Sequence, residues 1–162
     1  MTKSSTPAAT GVVEALWLKR ARRGPMDACD SVEFVANQGM AGSADQGGRR
    51  QVTVIASEVF DALSQQLDTE VDPAMRRANV MVRGLALQGS RGRLLAIGSA
   101  RLRVGGETRP CERMDEQLPG LTLALDPEWR GGIYGQVEVS GLVSVGDQVF
   151  WVDEGDADTA SL

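Results

Sequence analysis

The sequence predicts a mostly β domain: a closed or partly open β-barrel of about seven strands with two or three short helices. Three observations lead there. Short apolar runs containing β-branched residues recur along the chain. Nineteen glycines in 162 residues punctuate those runs. Helical periodicity is confined to two places, so strands and helices do not alternate as they would in a doubly wound sheet.

The elements follow in order. Residues 1–10, "MTKSSTPAAT", are small and polar, lack the apolar stretch of a signal peptide, and are expected to form a flexible tail. Residues 11–20, "GVVEALWLKR", form the first strand, and "SVEFVA" (31–36) alternates as a second. "NQGMAGSADQGG" (37–48) is a long loop. "QVTVIA" (51–56) is a strand that ends at Ser57, a good N-cap, and Val59, Leu63 and Leu67 then recur at helical spacing. "NVMVRG" (79–84) and "LLAIGSARLRVGG" (94–106) are further strands. Within the latter, Arg101 and Arg103 share one face and Leu102 and Val104 the other. A second helix is expected over about 112–125, broken near Pro119. Strands at 132–141 and 142–152 complete the folded unit, with glycine spacing in "SGLVSVGDQVF" that suits short turns. A single domain over 11–152 is therefore expected, followed by an acidic tail at 153–162.

The composition excludes several chemistries. There is no histidine. That removes Ser-His-Asp and Cys-His nucleophile pairs, histidine-ligated metals and imidazole acid–base catalysis. Two cysteines without histidine cannot build an ordinary structural zinc site. Lys3 and Lys19 are the only lysines, and Lys3 sits in the tail, so a pyridoxal phosphate Schiff base is not expected. The net charge of −5 gives no overall drive toward nucleic acid or an anionic membrane. No apolar run is long enough to cross a membrane as a helix. The expected setting is cytoplasmic and reducing, with Cys29 and Cys111 as two free thiols.

Fifteen of the seventeen basic residues are arginine, the side chain suited to bidentate recognition of phosphate and carboxylate. Cys111 lies in "GGETRPCERM", after a strand, a glycine turn and Pro110, and ahead of the expected second helix. Arg109 and Arg113 flank it. A helix N-terminus and neighbouring cations both favour the thiolate, while Glu112 opposes it. The alternative is a small buried hydrophobe. Cys29 sits among acidic residues that oppose ionisation and is read as structural or incidental. Arg49 and Arg50, Arg76 and Arg77, and Arg130 stand at the mouths of strands. There they can converge on one anionic ligand, or serve as solvated turn residues.

In this order the pieces resemble the MOSC domain, the module also found at the C-terminus of molybdenum cofactor sulfurases. The pieces are a glycine-rich loop leading to "RRQVTVIASEVFDAL", then "RANVMVRGLAL", "LLAIGSARLRVGG", the lone cysteine of "PCERMDEQLPGL", and "WRGGIYGQVEVSGLVSVGDQV". The resemblance covers about residues 11–150. It implies a strand-rich barrel and a cysteine that ligates molybdenum of the pterin cofactor or carries sulfur, matched here by Cys111. It also implies cofactor-binding roles for Arg77 and Asn79 and for the Arg50–Gln51 pair. From their own places in the sequence, beside Cys111 and at a strand mouth, Arg109, Arg113 and Arg130 are further candidates for binding the cofactor. Related members reduce N-hydroxylated compounds, and others are inferred to carry sulfur. The chain departs from the family pattern in the loop. Gly39 and Gly42 match its glycines, but Ser43 stands where aspartate is expected, with Asp45 a displaced candidate, and the histidine is missing.

The function expected on this basis is molybdenum cofactor binding or sulfur carriage through Cys111. The alternatives are a metal-free persulfide carrier and a degenerate binding module. The expected partners are a cysteine desulfurase or, because no flavin or iron–sulfur motif is present, a separate electron-donor protein.

Overall fold

The computed structural model describes residues 10–21, 24–44, 46–72, 78–108, 120, 124 and 129–152. The expected helix at 112–125 falls almost wholly outside them, as do Arg76, Arg77, Arg109, Cys111, Arg113, Asp45, the acidic tail and the N-terminal tail except Thr10, which opens the first strand.

The described residues form eleven strands and one helix: β1 (Thr10–Lys19), β2 (Met26–Cys29), β3 (Ser31–Val35), β4 (Gly39–Met40), β5 (Val52–Ala56), α1 (Ser57–Gln66), β6 (Val80–Arg83), β7 (Leu94–Ile97), β8 (Ala100–Glu107), β9 (Ile133–Val139), β10 (Gly141–Ser144) and β11 (Gln148–Val152). Eight strands hydrogen-bond in the order β11-β7-β8-β9-β5-β6-β1-β2, and β11 also pairs with β1. That extra pairing closes seven strands into a barrel and leaves β2 as an appendage of β1. Closure removes the open edges that such a sheet would otherwise expose. A second, three-stranded sheet, β10-β3-β4, stands beside the barrel.

The expected barrel is present, with differences of detail that have local causes. The stretch 94–106 is two strands because Gly98, at φ 53°, makes a hairpin turn between β7 and β8. Likewise 142–152 divides into β10 and β11 around Gly146, at φ 96°. The loop at 37–48 contributes the short strand β4. Ser57 is not the N-cap of α1. That position belongs to Ala56, which makes no side-chain cap bond, while the Ser57 hydroxyl accepts a hydrogen bond from Arg83 Nη2 at 2.7 Å.

The barrel interior is a single apolar cluster that includes Val13, Leu16, Val52, Val54, Val80, Val82, Leu95, Ile97, Leu102, Val104, Ile133 and Val137. β8 shows the expected alternation, with Leu102 and Val104 buried and Arg101 and Arg103 half-exposed. A smaller outer cluster seats α1 on the wall through Phe60 and Leu63 against Ile55, Val71, Ala78 and Ala124. β5 and β6 run parallel, and the crossover between them carries α1, as a parallel pair requires.

Candidate functional site

Strand directions bring several chain exits to one end of the barrel. β5 is parallel to β6 and antiparallel to β9, which is antiparallel to β8. Ala56, Arg83, Ile133 and Glu107 therefore mark a common rim. A cavity of about 360 Å³ opens there, lined by Ala56, Glu58 and Val59 at the start of α1, by residues 84–88, and by Trp129.

Short contacts fix the walls of this cavity. The Gly84 N–H donates to Glu58 Oε2 at 2.6 Å. Arg83 Nε donates to Glu14 Oε2 at 2.7 Å, and its Nη2 reaches Asp61 Oδ2 at 3.4 Å. This pairing holds the Glu14 carboxyl below the usual carboxylate range: the Arg83 hydrogen bond lowers it, partial burial opposes, and Ser57 adds to the lowering. Farther along, the Ser90 hydroxyl donates to Leu87 O at 2.7 Å and Trp151 Nε1 to Ala86 O at 3.2 Å. The side chains of Leu85 and Leu87 belong to the core. Segment 84–90 is thus pinned at both ends without being a strand.

The opposite wall is held through Trp129, a non-glycine residue at φ 60°. Gly132 N–H donates to Trp129 O at 3.0 Å, and Gly132 O accepts the Thr108 N–H at 2.8 Å. Thr108 directly follows β8, so the chain that leads toward Cys111 departs from this same rim.

The sequence-predicted residues that the structure describes do not converge on the cavity. Arg130 Nη1 donates to Gln66 Oε1 at 2.8 Å and to Ala124 O at 3.2 Å, which ties the approach to β9 to the end of α1. Asn79 is buried between β5 and β1. Its Oδ1 accepts the Thr53 N–H and hydroxyl at 2.9 and 3.0 Å, and its Nδ2 lies 3.5 Å from Trp17 O. Gln51 is also buried, with Oε1 accepting the Val137 N–H at 3.0 Å and Nε2 donating to Gly48 O at 3.1 Å. The Arg50 guanidinium lies over the Tyr134 ring, 4.9 Å from its centroid. Cys29 is half-buried and faces Leu16 O at 3.8 Å. Burial pushes its thiol up and Asp30 and Asp27 add to this, against Arg20, so the thiolate is disfavoured there. Among the described residues, no group of three or more His, Cys, Asp or Glu side chains is arranged to hold a metal ion.

The family model for the MOSC domain matches residues 40–150. The chain belongs to the MOSC domain family. Its barrel is similar to the crystal structure of the YuaD protein from Bacillus subtilis, at 22% identity and a TM-score of 0.75, with 88% of this chain and 95% of that one covered. It is also similar to YiiM from Geobacillus stearothermophilus, at 17% identity and a TM-score of 0.71, covering 90% of this chain and 76% of that one. YiiM from Escherichia coli aligns at 15% identity and a TM-score of 0.67, covering 91% and 71%. At these identities the likeness is one of fold. No curated protein matches the chain.

The cavity lining of this MOSC domain was not legible from residue chemistry, because 84–88 contains no nucleophile, metal ligand or charge. One signal was available. "GLALQ" is an apolar run that follows Gly84 and lacks both the alternation of a strand and the length of a helix. Leu85 and Leu87 turn into the core from this irregular segment, which leaves Gly84, Ala86 and Gln88 on the cavity side.

Proposed function

We propose that this MOSC domain uses Cys111 as a thiolate ligand for the molybdenum of a pterin cofactor, at the mouth of the rim cavity. The observation that carries the reading is the shared location of the cavity and the β8 exit. Trp129 lines the cavity, and the Trp129–Gly132–Thr108 hydrogen bonds tie it to the strand end. Only Arg109 and Pro110 lie between Thr108 and Cys111, a reach of about 10 Å.

The chemistry of the lining suits part of such a group. Trp129, Val59 and Ala86 offer apolar and aromatic surface to a flat ring system, with Gln88 and Glu58 as polar groups. Among the described residues no arginine lines the cavity, so the cofactor phosphate falls to Arg109, Arg113 and Arg77, which lie outside them. A thiolate is a soft donor suited to molybdenum, and histidine is not needed. When bound, a molybdenum centre would supply two-electron chemistry of the kind that reduces an N-hydroxylated compound, with water as the second product and electrons from a separate donor protein. The protein's own tasks are to keep Cys111 ionised through Arg109 and Arg113, and to give the substrate a water-poor wall.

The test is the metal content of wild type and Cys111→Ser purified from cells that make the cofactor. Molybdenum retained by wild type and lost by the variant is the expected result. Equal content in both overturns the ligand role. If neither holds metal and desulfurase treatment adds one sulfur, about 32 Da, to Cys111, persulfide carriage replaces this reading.

A further inference from the structure

The rim cavity has a charge as well as a shape. A carboxylate lines it, that of Glu58 in the first turn of α1. Its Oε2 accepts the Gly84 N–H at 2.6 Å, so the backbone of segment 84–88 fixes the carboxylate in the cavity wall. That bond occupies one of about four lone-pair positions on the group. Arg83, which precedes Gly84, donates instead to Glu14, Ser57 and Asp61. Among the described residues Glu58 makes no ion pair.

The rest of the lining faces the same space. Trp129 stands on the opposite wall, Val59 and Ala86 add apolar surface, and Gln88 brings a carboxamide. At about 360 Å³ the cavity holds one small ring system with a short head group.

We propose that Glu58 makes this cavity selective for a small aromatic cation, whose ring lies on the apolar wall and whose N–H-rich head binds the carboxylate. A planar head with two parallel N–H donors matches a carboxylate bidentately. The Gln88 carbonyl oxygen can accept a further N–H, and an indole wall favours a cation over a neutral ligand. An anionic ligand of the same shape meets Glu58 as a like charge. The inference rests on the reading of this cavity as the place where a ligand meets Cys111. The preference itself involves neither the thiol nor a metal.

The experiment compares three probes that share one ring and differ in the charge of the head: benzamidine, benzamide and benzoate. Ligand-observed NMR on protein from cells that lack cofactor synthesis gives a Kd for each. Benzamidine should bind tightest and benzoate weakest in wild type, and equally so in Cys111→Ser. Glu58→Gln keeps an acceptor for the Gly84 N–H and removes the charge. It should weaken benzamidine about fivefold or more, a charge-assisted bond partly screened by water, and leave benzamide within about twofold. Ala86→Phe fills the cavity from an exposed position and should weaken all three probes. Benzamidine that binds no better than benzamide in wild type overturns the proposal. So does an equal loss of all three probes in Glu58→Gln, or benzamidine binding that Ala86→Phe leaves unchanged. Protein loaded with cofactor should keep the preference, and its loss on loading would mean that the cofactor itself fills the cavity, which overturns a separate ligand. Metal content is scored apart from these results. Molybdenum held by wild type and lost by Cys111→Ser, with no preference among the probes, leaves the Cys111 reading standing and removes only the role of Glu58.

Discussion

Asn79 and Thr53, twenty-six residues apart, bind each other through four hydrogen bonds across the parallel pair β5–β6, one of them from the Asn79 N–H to the Thr53 carbonyl oxygen at 3.1 Å. The Asn79 Oδ1 accepts the Thr53 N–H at 2.9 Å and the Thr53 hydroxyl at 3.0 Å, and the Asn79 N–H reaches Thr53 Oγ1 at 3.1 Å. The carboxamide is buried at the start of β6, where a parallel strand must be brought in after a long crossover. Its place in the sequence, one residue before a strand and two after Arg77, is shared with the family motif. Its contacts lie within the fold.

Asn79→Ala should therefore lower stability by about 1–3 kcal/mol, because the Thr53 N–H loses its acceptor in a buried setting. Urea unfolding measures it. A variant that keeps wild-type stability while losing bound molybdenum would show instead that Asn79 acts on the cofactor directly.

Stability should also depend on acid through Glu14. Its hydrogen bond with Arg83 holds the folded carboxyl below its ordinary value. A depressed carboxyl stabilises the fold fully above the unfolded pKa, and the contribution is lost as pH falls through the folded pKa. The difference in Tm between wild type and Glu14→Gln should thus be constant near neutrality and shrink once pH drops below about 4.3. A difference that is the same at pH 7 and pH 3 would remove Glu14 from the acid response.

The barrel was legible where a strand has one wet face. Arg101 and Arg103 alternate with Leu102 and Val104, and that pattern gave the face as well as the strand. β7 was harder, since all four of its residues are buried and it carries no alternation, so it merged with β8 across Gly98. Ser57 illustrates a different limit. Its residue type favours an N-cap, but the long-range partner Arg83 claims the hydroxyl. Arg50 and Tyr134, eighty-four residues apart, meet only because β5 and β9 are neighbours. The glycine pair 105–106, read as a turn ahead of Cys111, instead lies inside β8, which runs on to Glu107.

Gly132 offers the sharpest test of how the rim is built. Its φ is 96°, a value that glycine tolerates and other residues resist. Gly146 has the same φ of 96° but nothing within 4 Å of where a Cβ would stand. A Cβ at Gly132 would strike the carbonyl oxygen of Val54 and sit 2.9 Å from Ile55 Cγ2. Gly146→Ala should then cost about 1–2 kcal/mol, the backbone term alone. Gly132→Ala adds a collision with the β5 backbone and should cost roughly 2 kcal/mol more. It must also shift the carbonyl that accepts the Thr108 N–H, so the rate at which a thiol reagent labels Cys111 should change, while labelling of Cys29 stays as in wild type. Equal stability losses in the two variants would mean that the close approach of Gly132 to Val54 adds nothing beyond the backbone angle. An unchanged Cys111 rate in a destabilised Gly132→Ala would uncouple the rim from the thiol.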